Sequence, residues 1–145
     1  MAIQRMDHVG VVVDDLAAAT EFFVELGLEV QGEGTVEGDS VDRIVGLEGV
    51  HSELVMLQTA DGQRRLELVK FHSPPARDGD PEAPANALGI RHLAFVVEAV
   101  DDLVDGLRAR GTELVGELVS YENSYRLCYV RGPEGIIVEL AEPIG

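Results

Sequence analysis

Cysteine is almost missing from this chain and tryptophan is missing altogether: Cys128 is the single thiol among 145 residues. One thiol cannot close an intrachain disulfide, so nothing points to an oxidising compartment. In its apolar surroundings Cys128 reads as a buried strand residue. Basic residues are scarce as well, 11 Lys and Arg against 27 Asp and Glu, for a net charge of −16. Such a surface repels phosphate backbones and anionic lipid, which argues against nucleic acid as a partner. The acidity itself reads as solubility. Long hydrophobic runs are also lacking, since none approaches the ~20 residues of a membrane span. The opening MAIQRMDHVG has neither the charged nor the apolar region of a signal peptide. These absences lead to the expectation of a cytoplasmic protein without a membrane partner.

What the chain does have is a repeat. DHVGVVVDDLAAATEFFVELGLEV, starting at Asp7, lies without a gap over RHLAFVVEAVDDLVDGLRARGTEL, starting at Arg91, 84 positions later. His8 falls on His92 and Gly27 on Gly111. At 46% hydrophobic residues, a chain of this length can bury roughly two-thirds of its unfolded surface. The expectation is a single domain, 1–145, made of two modules. Module one covers about 6–71 and module two about 90–142. Between them, about 72–88 holds four of the six prolines and reads as an irregular connection.

Each copy begins with an alternating run. From Met6 to Val13, His8, Gly10 and Val12 share one strand face and Val9, Val11 and Val13 the other; His92, Ala94 and Val96 repeat the pattern. Asp14 and Asp15 suit the cap of a helix with Leu16, Ala19, Phe23 and Leu26 on its apolar stripe, ended by Gly27. Val100, Leu103, Val104 and Leu107 form the second stripe, running up to Gly111. Three strands are then expected in each half: about 28–31, 52–58 and 65–71, then about 113–118, 126–130 and 136–141. Turns fall at Thr59-Ala60-Asp61-Gly62 and Gly132-Pro133-Glu134-Gly135. The stretch Gly32 to Gly49 admits either a short helix near Val41 to Val45 or a mobile cover.

Glu67 and Glu139 are acids inside the otherwise apolar last strands of the two modules. Glu67 shares its strand face with Val69 and Phe71, and Glu139 with Ile137 and Ala141, so each carboxylate is expected to point into an apolar concavity. A charge there is costly unless paired or bound to a cation. One histidine and one carboxylate from each module make a mixed nitrogen and oxygen set suited to a divalent metal with open positions. A lone strand histidine is more often a hydrogen-bonded core residue; the reading rests on all four together, in repeat-equivalent places. The small neighbours Gly10 and Ala94 leave room beside the imidazoles. His51 and His72 fall outside the repeat and are expected on loops.

Through HVGVVVDDLAAATEFF, LELV, RHLAFVVEAVDD and YVRGPEGIIVEL, the chain resembles the vicinal oxygen chelate superfamily over nearly its whole length. That superfamily takes in glyoxalase I, methylmalonyl-CoA epimerase, ring-cleaving dioxygenases and drug-binding resistance proteins. The resemblance implies an α+β fold of two tandem βαβββ modules forming a cupped, incomplete eight-stranded barrel within a homodimer. It implies His8, Glu67, His92 and Glu139 as ligands of one divalent ion per site, with Ni, Co, Mn, Fe and Zn all open. The implied chemistry is that of an isomerase or lyase acting on a small-molecule carbonyl or thioester substrate: the metal polarises a carbonyl while a carboxylate moves a proton on the adjacent carbon. Similarity to glyoxalase I makes Glu139 the base and Glu67 its opposite number. Similarity to the epimerases brings in Glu48 as one of two catalytic bases, although their E-x-G-V segment is here E-G-V, one residue short. Arg43, Met56, Tyr121, Asn123 and Tyr125 fall in the segments that shape substrate pockets in this superfamily. Two alternatives accompany this reading. A drug- or metabolite-binding resistance protein is disfavoured by the intact ligand set and by only seven Phe and Tyr residues. A dioxygenase is disfavoured by chain length and by the second carboxylate.

Overall fold

A computed structural model describes residues 2–145. Among them the chain is α+β, with three α-helices and nine strands in two sheets. It divides into two compact units, Met1–Asp78 and Gly79–Gly145, the boundary falling inside the proline-rich connection.

The first unit contains β1 (Val9–Val12), α1 (Leu16–Leu26), β2 (Glu29–Glu37), α2 (Asp39–Val45), β3 (His51–Gln58) and β4 (Arg65–Ser73). Its sheet has the order β1-β4-β3-β2, with β1 parallel to β4 and the other pairs antiparallel. Asp15 caps α1, its Oδ1 accepting from the Ala18 amide at 3.0 Å. Gly27 ends the helix at φ 118°, a conformation that costs glycine little. Ala19 and Phe23 on the apolar stripe are fully buried, and α1 packs on β3 and β4. Leu57, Leu66 and Leu68 complete this core from the sheet.

The second unit contains β5 (His92–Val96), α3 (Val100–Ala109), β6 (Glu113–Leu114), β7 (Val119–Tyr121), β8 (Tyr125–Arg131) and β9 (Ile137–Pro143). Its order is β5-β9-β8-β6, with β7 also pairing β8 and β5 parallel to β9. Val100, Val104 and Leu107 bury the expected face of α3 beside Val138 and Leu140. The helix starts differently from α1. Its N-cap is Ala99, at φ 50° and without a capping side chain of its own. Glu142 on β9 supplies the acceptors instead, 3.1 Å from each of the Ala99 and Val100 amides, placing a negative charge at the positive end of the helix dipole.

Several sequence expectations need correcting in detail. β1 begins at Val9, so His8 precedes the strand it was expected to sit in. β2 continues to Glu37 and is followed by α2, because Thr35 and Val36 pair with Glu53 and Ser52 before Gly38 turns the chain at φ 114°. The expected strand at 113–118 is cut to β6, and β7 forms beyond it. Between the pairs Leu114–Val130 and Val119–Leu127, the first chain advances five residues while β8 uses three, and the excess is taken up around Gly116. His51 and His72 are strand residues, the first of β3 and the next-to-last of β4.

Candidate metal and substrate site

In the first unit, the parallel register sets Gly10 beside Glu67. His8, one step before β1, has Nε2 4.0 Å from Glu67 Oε2. A Cβ on Gly10 would stand 3.7 Å from Glu67 Oε1, so any longer side chain there would crowd the carboxylate. On the far side of the imidazole, Asp7 Oδ2 lies 2.8 Å from His8 Nδ1. With Asp7 accepting from Nδ1–H, the lone pair of His8 is left on Nε2, facing Glu67. The same hydrogen bond is the main reason the Asp7 carboxyl sits below its ordinary pKa. Met56 is directly opposite Glu67 in the β3–β4 register and so occupies the same face.

The second unit repeats the frame with different supports. Ala94 is beside Glu139, and His92 Nε2 lies 3.5 Å from Glu139 Oε1. The Glu67 and Glu139 side chains are each 23% exposed, enough to meet a ligand while flanked by apolar strand neighbours. Ile137 and Ala141, on the Glu139 face, are buried. Arg91 takes the place of Asp7, and its guanidinium donates to the carbonyls of Ala83 and Pro84 at 2.9 and 2.7 Å, holding the connecting segment. His92 is instead flanked by Tyr129, ring centroids 4.9 Å apart and tilted 36°. Tyr129 stands opposite Glu139 on β8, the register position Met56 occupies in the first unit. Sequence reasoning misses Tyr129 because it lies beyond the matched repeat; strand pairing is the signal that finds it.

These donors fit a divalent ion. Two ligands held at metal distances of 2.0–2.2 Å and near-tetrahedral angles are about 3.3–3.6 Å apart. The His92–Glu139 separation of 3.5 Å falls in that range, and the 4.0 Å of His8–Glu67 enters it with a small side-chain rotation. The four residues are gathered as two pairs; among the described residues no group of three or more potential ligands is gathered.

The remaining candidates lie on two connections. Arg43 is in the last turn of α2, and Glu48 follows in the turn to β3. Asp42 accepts from the Gly49 and Val50 amides, both at 2.9 Å, which fixes the backbone next to Glu48. Tyr121 and Tyr125 face each other across the β7–β8 hairpin, 55% and 41% exposed. Glu122 and Asn123 at its tip have φ of 49° and 55°, the left-handed pair that tight hairpins require. Asn123 therefore has a conformational reason to be where it is. Cys128 is buried in β8, and burial pushes its thiol up, which removes it from consideration as a nucleophile.

Duplicated strand–helix–strand units, each bringing a histidine at its first strand to a glutamate on its last, define a class. Residues 5–140 match the model of the Glyoxalase/Bleomycin resistance protein/Dioxygenase superfamily, and the chain belongs to that superfamily. A solved glyoxalase family protein from Bacillus cereus is 47% identical, with a TM-score of 0.95 over 100% of this chain and 99% of its own. The uncharacterized protein YaeR of Escherichia coli (strain K12) is 28% identical over 143 residues, 98% of each chain. The trypanothione-dependent glyoxalase I of Leishmania major, 24% identical with a TM-score of 0.67 over 97% of this chain and 87% of its own, shares the fold. No helix among the described residues is long and apolar enough to cross a membrane.

Proposed function

We propose that the protein is a metal-dependent isomerase or lyase in which His8, Glu67, His92 and Glu139 together hold one divalent ion. The observation that carries this reading is the pair of His–Glu contacts at repeat-equivalent positions, each beside a small residue. Nickel, cobalt, manganese, iron and zinc all accept such a donor set. When bound, the ion supplies Lewis acidity toward a carbonyl or thioester oxygen of a small-molecule substrate.

The chain's own groups handle the proton. Glu139, released from the ion, accepts it from the carbon next to the carbonyl; Glu67, in the equivalent place of the other module and protonated from solvent, gives one back, and Glu139 then loses its proton to solvent. Asp7 and Tyr129 keep the two imidazoles oriented. Met56 and Tyr129, opposite the two carboxylates, limit the substrate's size, the segments carrying Arg43, Tyr121, Asn123 and Tyr125 hold its distal part, and Glu48 is a further catalytic carboxylate. In this reading the two units work as one domain, 1–145, in a homodimer in the cytoplasm. Val12 and Val96, on the ligand-bearing strand faces, are 54% and 73% exposed, apolar surface that pairing would cover. Light scattering is expected to give about twice the chain mass of 15.6 kDa.

The test is α-proton exchange in heavy water, with protein loaded in turn with each metal and offered acyl-CoA thioesters and thiohemiacetals. Exchange by the wild type, lost in Glu139→Gln with metal content retained, is the expected result. Tyr121 and Tyr125, exposed and paired across the hairpin, favour a second reading, capture of a planar metabolite without turnover. Absence of exchange with every metal and substrate, together with a copurifying aromatic compound, would replace the first reading with the second.

A further inference from the structure

We propose a second metal position, independent of the first, at the end of the β3–β4 ladder: His51 and His72 together take one nitrogen-preferring divalent ion such as Zn2+, with Glu53 as the outer carboxylate. The register of the two strands places it. Ser52 pairs with Phe71, but His51 pairs with Ser73, so His72 is the extra residue of a bulge. Bulges re-aim side chains, and here the His51 and His72 rings end 5.3 Å apart, tilted by 38°. Rings whose nitrogens each bind at the usual 2.0–2.1 Å would, at that centroid spacing, meet an ion at about 110°, the tetrahedral angle.

Glu53 decides which nitrogens are free. It pairs across the ladder with Lys70, the ordinary partner for a salt bridge, yet Lys70 Nζ goes to Asp14 at 3.0 Å. The Glu53 carboxylate is instead within hydrogen-bond distance of His72 Nε2. Accepting that proton, it fixes the tautomer with the lone pair on Nδ1. A carboxylate bonded to the far nitrogen of an imidazole is the usual outer partner of a metal-binding histidine. His72 and Glu53 are 38% and 50% exposed, so the ion is reachable from solvent and water can fill its remaining positions. His51, Glu53 and His72 are on the face that holds Val55 and Leu68, whereas Glu67 and Met56 are on the opposite face of the same sheet, so the two sites share no ligand.

Zinc titration calorimetry on the His8→Ala/His92→Ala protein isolates this position from the one proposed above. About one Zn2+ per chain should still bind, His51→Gln/His72→Gln added to that background should abolish it, and Glu53→Gln should weaken it about 10- to 100-fold. In the wild-type chain, the ring resonances of His51 and His72 should shift on adding Zn2+ whether or not the isolating variant folds. Zinc binding unchanged by His51→Gln/His72→Gln, or wild-type ring resonances indifferent to Zn2+, would overturn the proposal and leave the three residues as a surface ion pair only. Neither result bears on the His8, Glu67, His92 and Glu139 site.

Discussion

The two modules hold the same chemical pair by different means. In the first, the Asp7 carboxylate hydrogen-bonds the His8 imidazole; in the second, the Tyr129 ring flanks the His92 imidazole. The first caps its helix locally with Asp15, the second from across the unit with Glu142. The residue preceding the histidine is an acid that serves the site in one copy and an arginine that clamps the connection in the other. The His and Glu positions and the small residue beside each carboxylate stay constant. The groups beside the imidazoles and at the helix starts differ. The shared elements are therefore the ones the proposed function uses, and the unshared ones are the local supports of each copy.

Disturbing the matched core positions should have the largest effect on stability. Phe23 and Leu107 are repeat-equivalent and fully buried. Urea unfolding should show Phe23→Ala losing about 3–5 kcal/mol and Leu107→Ala about 2–5 kcal/mol. A loss under 1 kcal/mol at either would mean that its helix does not anchor the module. Next comes the contrast at the position before each histidine. Asp7→Leu should weaken metal binding about 10- to 100-fold by releasing the His8 tautomer, while Arg91→Leu should leave affinity unchanged; equal effects would erase the asymmetry. The distant cap gives a smaller change. Glu142→Ala should cost about 1–2 kcal/mol in thermal unfolding, as loss of an N-cap does, whereas Lys70→Ala, three residues after the other glutamate, should cost under about 1 kcal/mol as an exposed ion pair.

The smallest expected effect is electrostatic. Arg126 donates to both Asp101 carboxylate oxygens at 2.8 Å and holds the Asp101 pKa below its usual 3.8. Because the folded value is the depressed one, its stabilisation is present above about pH 4 and is lost as pH falls through that lower value. Asp101→Asn should thus be slightly less stable than wild type at pH 7, with the gap closing in acid. A gap that widens on acidification would reverse the assignment.

Much of this was legible in the sequence because it depends on period. The alternation around His8 and His92, the stripes through Phe23 and Leu107, and the glycine stop at Gly27 are local signals, and the strand–helix opening of each module follows from them. Features set by pairing were not. The break between β6 and β7 comes from a register change against β8. Tyr129 acquires its place only through alignment with Glu139, and His72 only through a bulge. The helix cap from Glu142 spans more than 40 residues, a distance over which no periodic pattern runs. The Glu67 and Glu139 positions sit between these cases: acids in apolar strands announce themselves, but only the parallel registers of β1 with β4 and β5 with β9 bring histidines to them.

The proposed function has both modules binding the same ion. Elemental analysis after metal loading and dialysis, performed in the His51→Gln/His72→Gln background, tests it most directly. About one ion per chain should be present with the four ligands intact, with a marked drop in His8→Ala and in His92→Ala separately and essentially no ion left in the His8→Ala/His92→Ala variant. A metal content unchanged by either single substitution would contradict the shared site.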